Sequence, residues 1–357
     1  MTRVVVKVGS SSLTSAAVGL DHDRLDALVD ALAAAHRAGD SPVLVSSGAI
    51  AAGLAPLGLA ARPRDLATLQ AAAAVGQTAL VDAYATSFGR HGITVGQVLL
   101  SAEDVMRRAH YRNARRTLDR LLELNVVPVV NENDTVATEE IRFGDNDRLA
   151  ALVAHLVDAD RLLLLSDVDA VYDRPPKTPG AQRISEIRAG DDLERVSTNG
   201  GGSGLGSGGM ASKLDAARLA ASSGVPAIIG AAVDVAGLLA GDPERGTRFF
   251  ATGERRASRL RWLAHASVPR GRLIIDAGAV AAVRDRGASL LPAGIVSVEG
   301  TFAVGDPVEL VGPDDVPLAR GLVAYDATEL PALLGVSTRE TGLREVVHRD
   351  DLVLLPR

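Results

Sequence analysis

Charged, hydroxyl and glycine residues gather at a few points of this chain in patterns suited to holding an anion. Lys7 breaks the apolar run "RVVVKVG", and Gly9 with Ser10 to Ser12 follows directly. Further on, "VLVSSGAI", "VVPVVNEND" and "LLLLSDVD" each end a β-rich stretch in Ser, Asn or Asp, and "FGDNDRLA" opens a helical pattern with acids. The last feature is "NGGGSGLGSGGMASK", with seven glycines between Gly200 and Met210 and Lys213 at its end. Lysine is rarely buried without an anionic partner. Glycine-rich loops and helix N-termini present free backbone N–H groups to phosphate or carboxylate oxygens. The chemistry these features share is the binding of an anion, a phosphate at the glycine-rich loop and an anion or carboxylate at "SSGA".

Each feature also has a plain reading. Lys7 could be an edge-strand lysine whose tip reaches water, and "SSGA" an unliganded turn. Asp145 suits a helix N-cap and Asp147 a first-turn acid facing the helix dipole, which leaves Asn146 and the neighbouring "NEND" without a reason. The glycine run has the composition of a flexible linker. It also fits G-x-G-x-x-G at Gly204 to Gly209, but lacks the strand before it and the acid about 20 residues later that a dinucleotide fingerprint needs. Met210 stands where a P-loop lysine belongs. A glycine-rich loop that runs straight into the helical "MASKLDAARLAASSG" is read here as a phosphate cradle. The basic stretch around Arg108, Arg112, Arg116 and Arg120 reads as a solvated helix face.

The elements that must position these residues alternate. Strand patterns at "RVVVKVG", "SPVLVSSGA", "ITVGQVLL", "VVPVVNEND", "RLLLLSDVD" and "VPAIIG" take turns with helical ones: "LDHDRLDALVDALAAAHRAG", Asp65 to Phe88, Tyr111 to Leu124, "DNDRLAALVAHLVD" and the segment after Gly209. This predicts an α/β three-layer sandwich around a mostly parallel sheet, with ligands at the carboxyl ends of the strands. From about residue 254 a charged connector containing Trp262 leads to short β-rich pieces between Gly, Asp and Pro turns. The expected division is a domain over 1–253, a linker over 254–269 and a small mostly β domain over 270–357.

The whole has 357 residues, 47% hydrophobic and 23% charged, as globular chains do. Its net charge of −6 disfavours nucleic acid as the main partner. There are no cysteines, hence neither disulfides nor thiolate chemistry. Its seven histidines lack metal-ligand spacing. The apolar N-terminal run is too short and too charged for a secretory segment, and a soluble cytoplasmic protein is expected.

Taken in order, "VVVKVGSSSLT", "SSGAIAAG", "VVPVVNENDTVAT", "FGDNDRLAALVA", "LLLLSDVDAVYD" and "SGLGSGGMASKLDAA" resemble the glutamate 5-kinases of the amino acid kinase family. The tail, with "GASLLPAGIVSVEGTFAVGDPVEL", looks like the PUA domain of their long form. The resemblance implies transfer of the ATP γ-phosphoryl group to the side-chain carboxylate of L-glutamate, the first step of proline synthesis. By motif, Lys7 and Lys213 would stabilise the transferred group with Asp147 placing both. Ser47, Asp134 and Asn146 would bind glutamate, helped by Asn131, Asp145 and the backbone of Gly48 and Ala49. Ser166 and Asp167 would hold ATP with Gly206, Ser207, Gly208, Gly209, Met210, Ala211, Ser212 and Lys213. Magnesium would arrive with the nucleotide, with no protein metal cage. Ser166 and Ser207 stand where threonine is common and keep the hydroxyl, while Ala170 replaces a usual glycine.

The resemblance further implies inhibition by proline, a homo-oligomer (a dimer or tetramer), and delivery of the acyl phosphate to glutamate 5-semialdehyde dehydrogenase. Two other readings stand beside it. Another amino acid kinase, for aspartate, acetylglutamate, carbamate or uridylate, would share the core and its lysines. An RNA-binding PUA protein is opposed by the tail's balance of nine Arg and no Lys against thirteen Asp and Glu from Arg270 onward.

Overall fold

The computed structural model describes residues 1–15, 19–101, 104–105, 108–136, 146–188, 191, 209–252, 269–335 and 345–355. The chain forms two compact units, Met1–Val105 with Ala114–Thr252, and Met106–Asn113 with Gly253–Arg357. Nearly all of the expected linker, Trp262 included, lies outside the described residues, as does the first part of the glycine run.

The first unit is built on an eight-stranded sheet. Its strands are β1 (Arg3–Val8), β4 (Ser41–Ser46), β5 (Val95–Leu100), β6 (Val127–Glu132), β7 (Arg161–Ser166), β10 (Glu186–Ile187), β11 (Ala227–Ala231) and β12 (Thr247–Phe249). Two short antiparallel pairs stand outside it, β2 (Thr14–Ser15) with β3 (Gly19–Leu20), and β8 (Val171–Tyr172) with β9 (Arg183–Ile184). The order is β10-β12-β11-β7-β1-β4-β6-β5, parallel at every pairing but β11 with β12. The central strands are buried along almost their whole length. That explains their near-continuous Val and Leu runs, since a parallel sheet is covered on both faces.

The helices are α1 (Ser10–Leu13), α2 (His22–Arg37), α3 (Ala49–Leu54), α4 (Leu66–Gly89), α5 (Arg108–Glu123), α6 (Asn146–Leu156), α7 (Met210–Ser222) and α8 (Val235–Ala240). Two are capped by an aspartate: Asp21 accepts from Arg24 N at the start of α2, and Asp65 accepts from Thr68 N at the start of α4. Val4, Val6 and Val8 of β1 share one core with Leu25, Val29 and Leu32 of α2 and Leu80, Tyr84 and Phe88 of α4. Period-two alternation sends Val5 and Lys7 to the other face, where α6 packs on β1 and on α7. On α5, Arg116 and Arg120 are exposed, and Arg120 pairs with Glu123 at 3.0 Å.

Helix α3 is a difference from the sequence reading, which sees only small residues after "SSG". Its backbone lies directly on α4. A Cβ at Gly53 would stand 1.9 Å from Ala72 O, and one at Gly76 would stand 1.8 Å from Ala49 O. The small residues are there so that two helix backbones can touch, a pairing of distant positions that no local pattern shows.

In the second unit a five-stranded sheet runs β14-β13-β15-β16-β17. The strands are β13 (Gly271–Ile275), β14 (Ile295–Gly300), β15 (Pro307–Val311), β16 (Pro317–Val323) and β17 (Val347–Leu354), antiparallel apart from β13 with β15. Helix α9 (Ala277–Arg286), capped by Asp276 accepting from Ala279 N, lays Val283 on a core of Leu273, Ile275, Val308, Leu310 and Val347.

Candidate active site

Strand register brings the polar strand ends into one row. Val8 pairs with Ser46 and Leu99 with Asn131, while Ser166 pairs with Ala231 and Lys7 lies between Val45 and Leu164. Strand β1 sits between β7 and β4. There the connections leave toward opposite edges of the sheet, a switch point that opens a crevice beyond the strand ends.

Lys7 is buried and not a solvated edge lysine: its Nζ lies 2.7 Å from Asp147 Oδ1. Lys213, in the first turn of α7, places its Nζ 3.2 Å from Oδ2 of the same carboxylate. Ser212 Oγ donates to that Oδ2 at 2.7 Å and also lies 2.9 Å from Gly209 O, so one hydroxyl proton serves two acceptors, of which the carboxylate is the stronger. Burial by itself would raise the Asp147 pKa. The Lys7 and Lys213 ammonium groups and the Ser212 hydroxyl overcome it and bring the value to about 2. The triad carries one net positive charge in a nearly dry setting. Side-chain exposure is 4% for Lys7, 8% for Lys213 and 1% for Asp147, so an anion seated there is strongly favoured.

A second group lies at the ends of β4 and β6. Asn131 Oδ1 and Asn146 Oδ1 both accept from Glu132 N, at 2.9 and 3.2 Å. Asn131 Nδ2 donates to Gln77 Oε1 at 2.7 Å. Asp134 is 8% exposed and its Oδ1 has no hydrogen-bond partner among the described residues. Burial pushes its pKa up to about 6, partly opposed by the Arg62 charge. Ser47 N donates to Val8 O at 3.1 Å, which ties the loop after β4 to β1. Gly48 caps α3 at φ 109°, a left-handed conformation that L side chains strain to adopt, and Ala49 behind it is buried. Beneath them Ser46 Oγ and Tyr84 OH are 2.9 Å apart.

Ser166 Oγ donates to Asp167 Oδ1 at 3.1 Å at the end of β7. Gly209, extended, precedes α7, whose first turn is Met210, Ala211, Ser212 and Lys213. Asp145, Gly206, Ser207 and Gly208 lie outside the described residues. Among the described residues no three His, Cys, Asp or Glu side chains are grouped to hold a metal ion. The structure thus joins Lys7, Asp147, Ser212 and Lys213 directly, and Asn131 with Asn146 through Glu132 N. Gln77 is absent from the sequence-derived set. Its signal was a polar residue on the buried stripe of α4, between Ala73 and Leu80.

A profile of the Amino acid kinase family matches residues 2–231, and one of the PUA domain matches residues 271–341. Glutamate 5-kinase of Frankia casuarinae is 64% identical over 99% of this chain and 96% of its own length. Glutamate 5-kinase of Salinispora arenicola is 61% identical over 99% and 98%. Among solved structures, carbamate kinase from Giardia lamblia bound to AMP-PNP aligns with a TM-score of 0.52 at 15% identity, covering 70% of this chain and 99% of that one. That likeness concerns the fold.

Proposed function

The chain belongs to the amino acid kinase family, and from that premise we infer that it is a glutamate 5-kinase, transferring the γ-phosphoryl group of ATP to the side-chain carboxylate of L-glutamate. Identity of 61–64% to curated glutamate 5-kinases over essentially the whole chain supports the substrate. The observation that carries the chemistry is the pair of buried lysines sharing Asp147.

A γ-carboxylate oxygen attacks the γ-phosphorus, the bond to the β–γ bridging oxygen breaks, and ADP leaves with the electron pair. The nucleophile is already ionised at neutral pH, so no general base is required and catalysis rests on alignment and charge stabilisation. Lys7 and Lys213, approaching from β1 and from α7, hold the transferred group, and Asp147 keeps both ammonium groups in place. Asp134 takes the α-ammonium of glutamate. Ser47, Asn131, Asn146 and the N–H groups of Gly48 and Ala49 take its carboxylates, with Asp145 beside Asn146. Ser166, Asp167 and the 206–213 segment hold ATP.

Mg2+ would enter with the nucleotide and would offset phosphate charge. We further propose a cytoplasmic homo-oligomer inhibited by proline at the glutamate pocket, passing its acyl phosphate to a semialdehyde dehydrogenase, with a tail that is structural or regulatory. Purified protein given MgATP, glutamate and hydroxylamine should yield the γ-hydroxamate. Equal yield with aspartate, or none with glutamate, overturns the assignment.

A further inference from the structure

Gln77 is a polar side chain that the proposed roles leave unexplained. It lies midway along the Ala-rich α4 and is 8% exposed, on the stripe that also carries the buried Ala73 and Leu80. An apolar residue would fill that position without desolvating an amide.

The orientation of its amide follows from a chain of bonds. Asn131 Oδ1 accepts from Glu132 N, so the remaining Asn131 group facing Gln77 is the Nδ2 donor, and Gln77 must meet it with Oε1. That leaves Gln77 Nε2, which is enclosed and has no hydrogen-bond partner among the described residues. Buried N–H donors are nearly always satisfied.

The same turn of α4 meets the acceptor side of the pocket a second time. Gly76 packs so closely on α3 that a Cβ there would stand 1.8 Å from Ala49 O. The amide thus bonds Asn131, at the end of β6, from a turn of α4 whose neighbouring residue, Gly76, lies on the start of α3.

We propose that Gln77 is a binding residue of the acceptor pocket: Nε2–H donates to a carboxylate oxygen of the bound amino acid, while Oε1 holds Asn131 in its working orientation. This rests on the reading of the pocket as a glutamate site.

Full-length wild type, Gln77→Glu and Gln77→Met are titrated with L-glutamate by calorimetry and thermal shift, with MgADP as the control ligand. Gln77→Glu keeps an acceptor for Asn131 and lacks the donor; Gln77→Met lacks both. Both variants should weaken glutamate binding at least tenfold and hold MgADP within about twofold of wild type. Wild-type glutamate affinity in Gln77→Glu or in Gln77→Met overturns the donor role. In wild type labelled with 15N-glutamine, the side-chain NH2 resonance that Gln77→Met removes should move downfield on adding glutamate, and a stationary resonance also overturns it. This second reading needs only Gln77→Met to fold, and Met suits an apolar position. A wild type that binds no glutamate would refute the pocket assignment itself, a separate result.

Discussion

Lys7 Nζ, on the central strand, lies 2.7 Å from Oδ1 of Asp147, in the first turn of the buried helix α6. The carboxylate is shared with Lys213, so removing the acid and removing one base have unequal costs. Asp147→Asn strands two buried ammonium groups and should destabilise the protein by about 3–5 kcal/mol. Lys213→Ala leaves a matched pair and should melt close to wild type, while kcat falls by about 10²–10³ because one charge facing the transferred group is lost. Urea unfolding and initial rates on the two variants check this. Near-normal turnover in Lys213→Ala would remove the lysine from the mechanism.

Asp147 also predicts an acid limit. Its pKa is about 2 in the folded protein against 3.8 in the unfolded chain. The ionised form is favoured by folding, so the contribution is complete above about pH 5 and lost as pH falls through 3.8 toward 2. At about 1.36 kcal/mol per pKa unit it amounts to roughly 2 kcal/mol. The stability difference between wild type and Asp147→Asn should therefore shrink between pH 5 and pH 2. A constant difference refutes the linkage.

Asp134 behaves with the opposite sign. Its folded pKa near 6 lies above the ordinary aspartate value of 3.8, so the folded state holds the proton more tightly and stability falls as pH rises from about 4 to about 6, then levels. A bound ammonium needs the ionised form. We expect kcat/KM for glutamate to rise about tenfold from pH 5 to pH 7, with an inflection near 6, since this parameter reports ionisations of the free enzyme. Asp134→Asn should bind glutamate weakly and lose the inflection. An unchanged profile in that variant excludes the α-ammonium role.

The polar strand ends were legible because a parallel sheet announces itself in apolar runs, and three of the runs here, at Ser46, Asn131 and Ser166, stop at Ser or Asn. From composition and spacing the lysines were legible only as two separate residues; their sharing of Asp147 was legible only through the family resemblance. Lys7 and Lys213 meet only because β1, α6 and α7 converge on Asp147, which composition and spacing do not encode. Gln77 escaped because α4 reads as a uniform Ala-rich helix. Its role depends on Asn131, reached across the fold through a bond of 2.7 Å. Helix α3 escaped because six residues, of which only Ile50 and Leu54 are larger than alanine, are too short a run to show a helical period; its backbone lies directly on α4.

That contact supplies the last prediction. Gly53 and Gly76 let α3 and α4 touch through their backbones, and a methyl group at Gly76 would stand 2.4 Å from Gly53 N as well as 1.8 Å from Ala49 O. Backbone atoms cannot rotate aside as a side-chain tip can, so Gly76→Ala must push α3 away from α4. In a helix interior, exchange of Gly for Ala ordinarily gains up to about 1 kcal/mol; here overpacking should turn that into a loss of about 1–3 kcal/mol. The displaced α3 carries Gly48 and Ala49, so the KM for glutamate should rise with little change in the KM for ATP. Gly89→Ala, at the end of the same helix with nothing within 4 Å of the added methyl, is the control and should keep wild-type kinetics. A Gly76→Ala protein with unchanged stability and unchanged glutamate KM would show that the backbone contact neither holds α3 nor shapes the acceptor pocket.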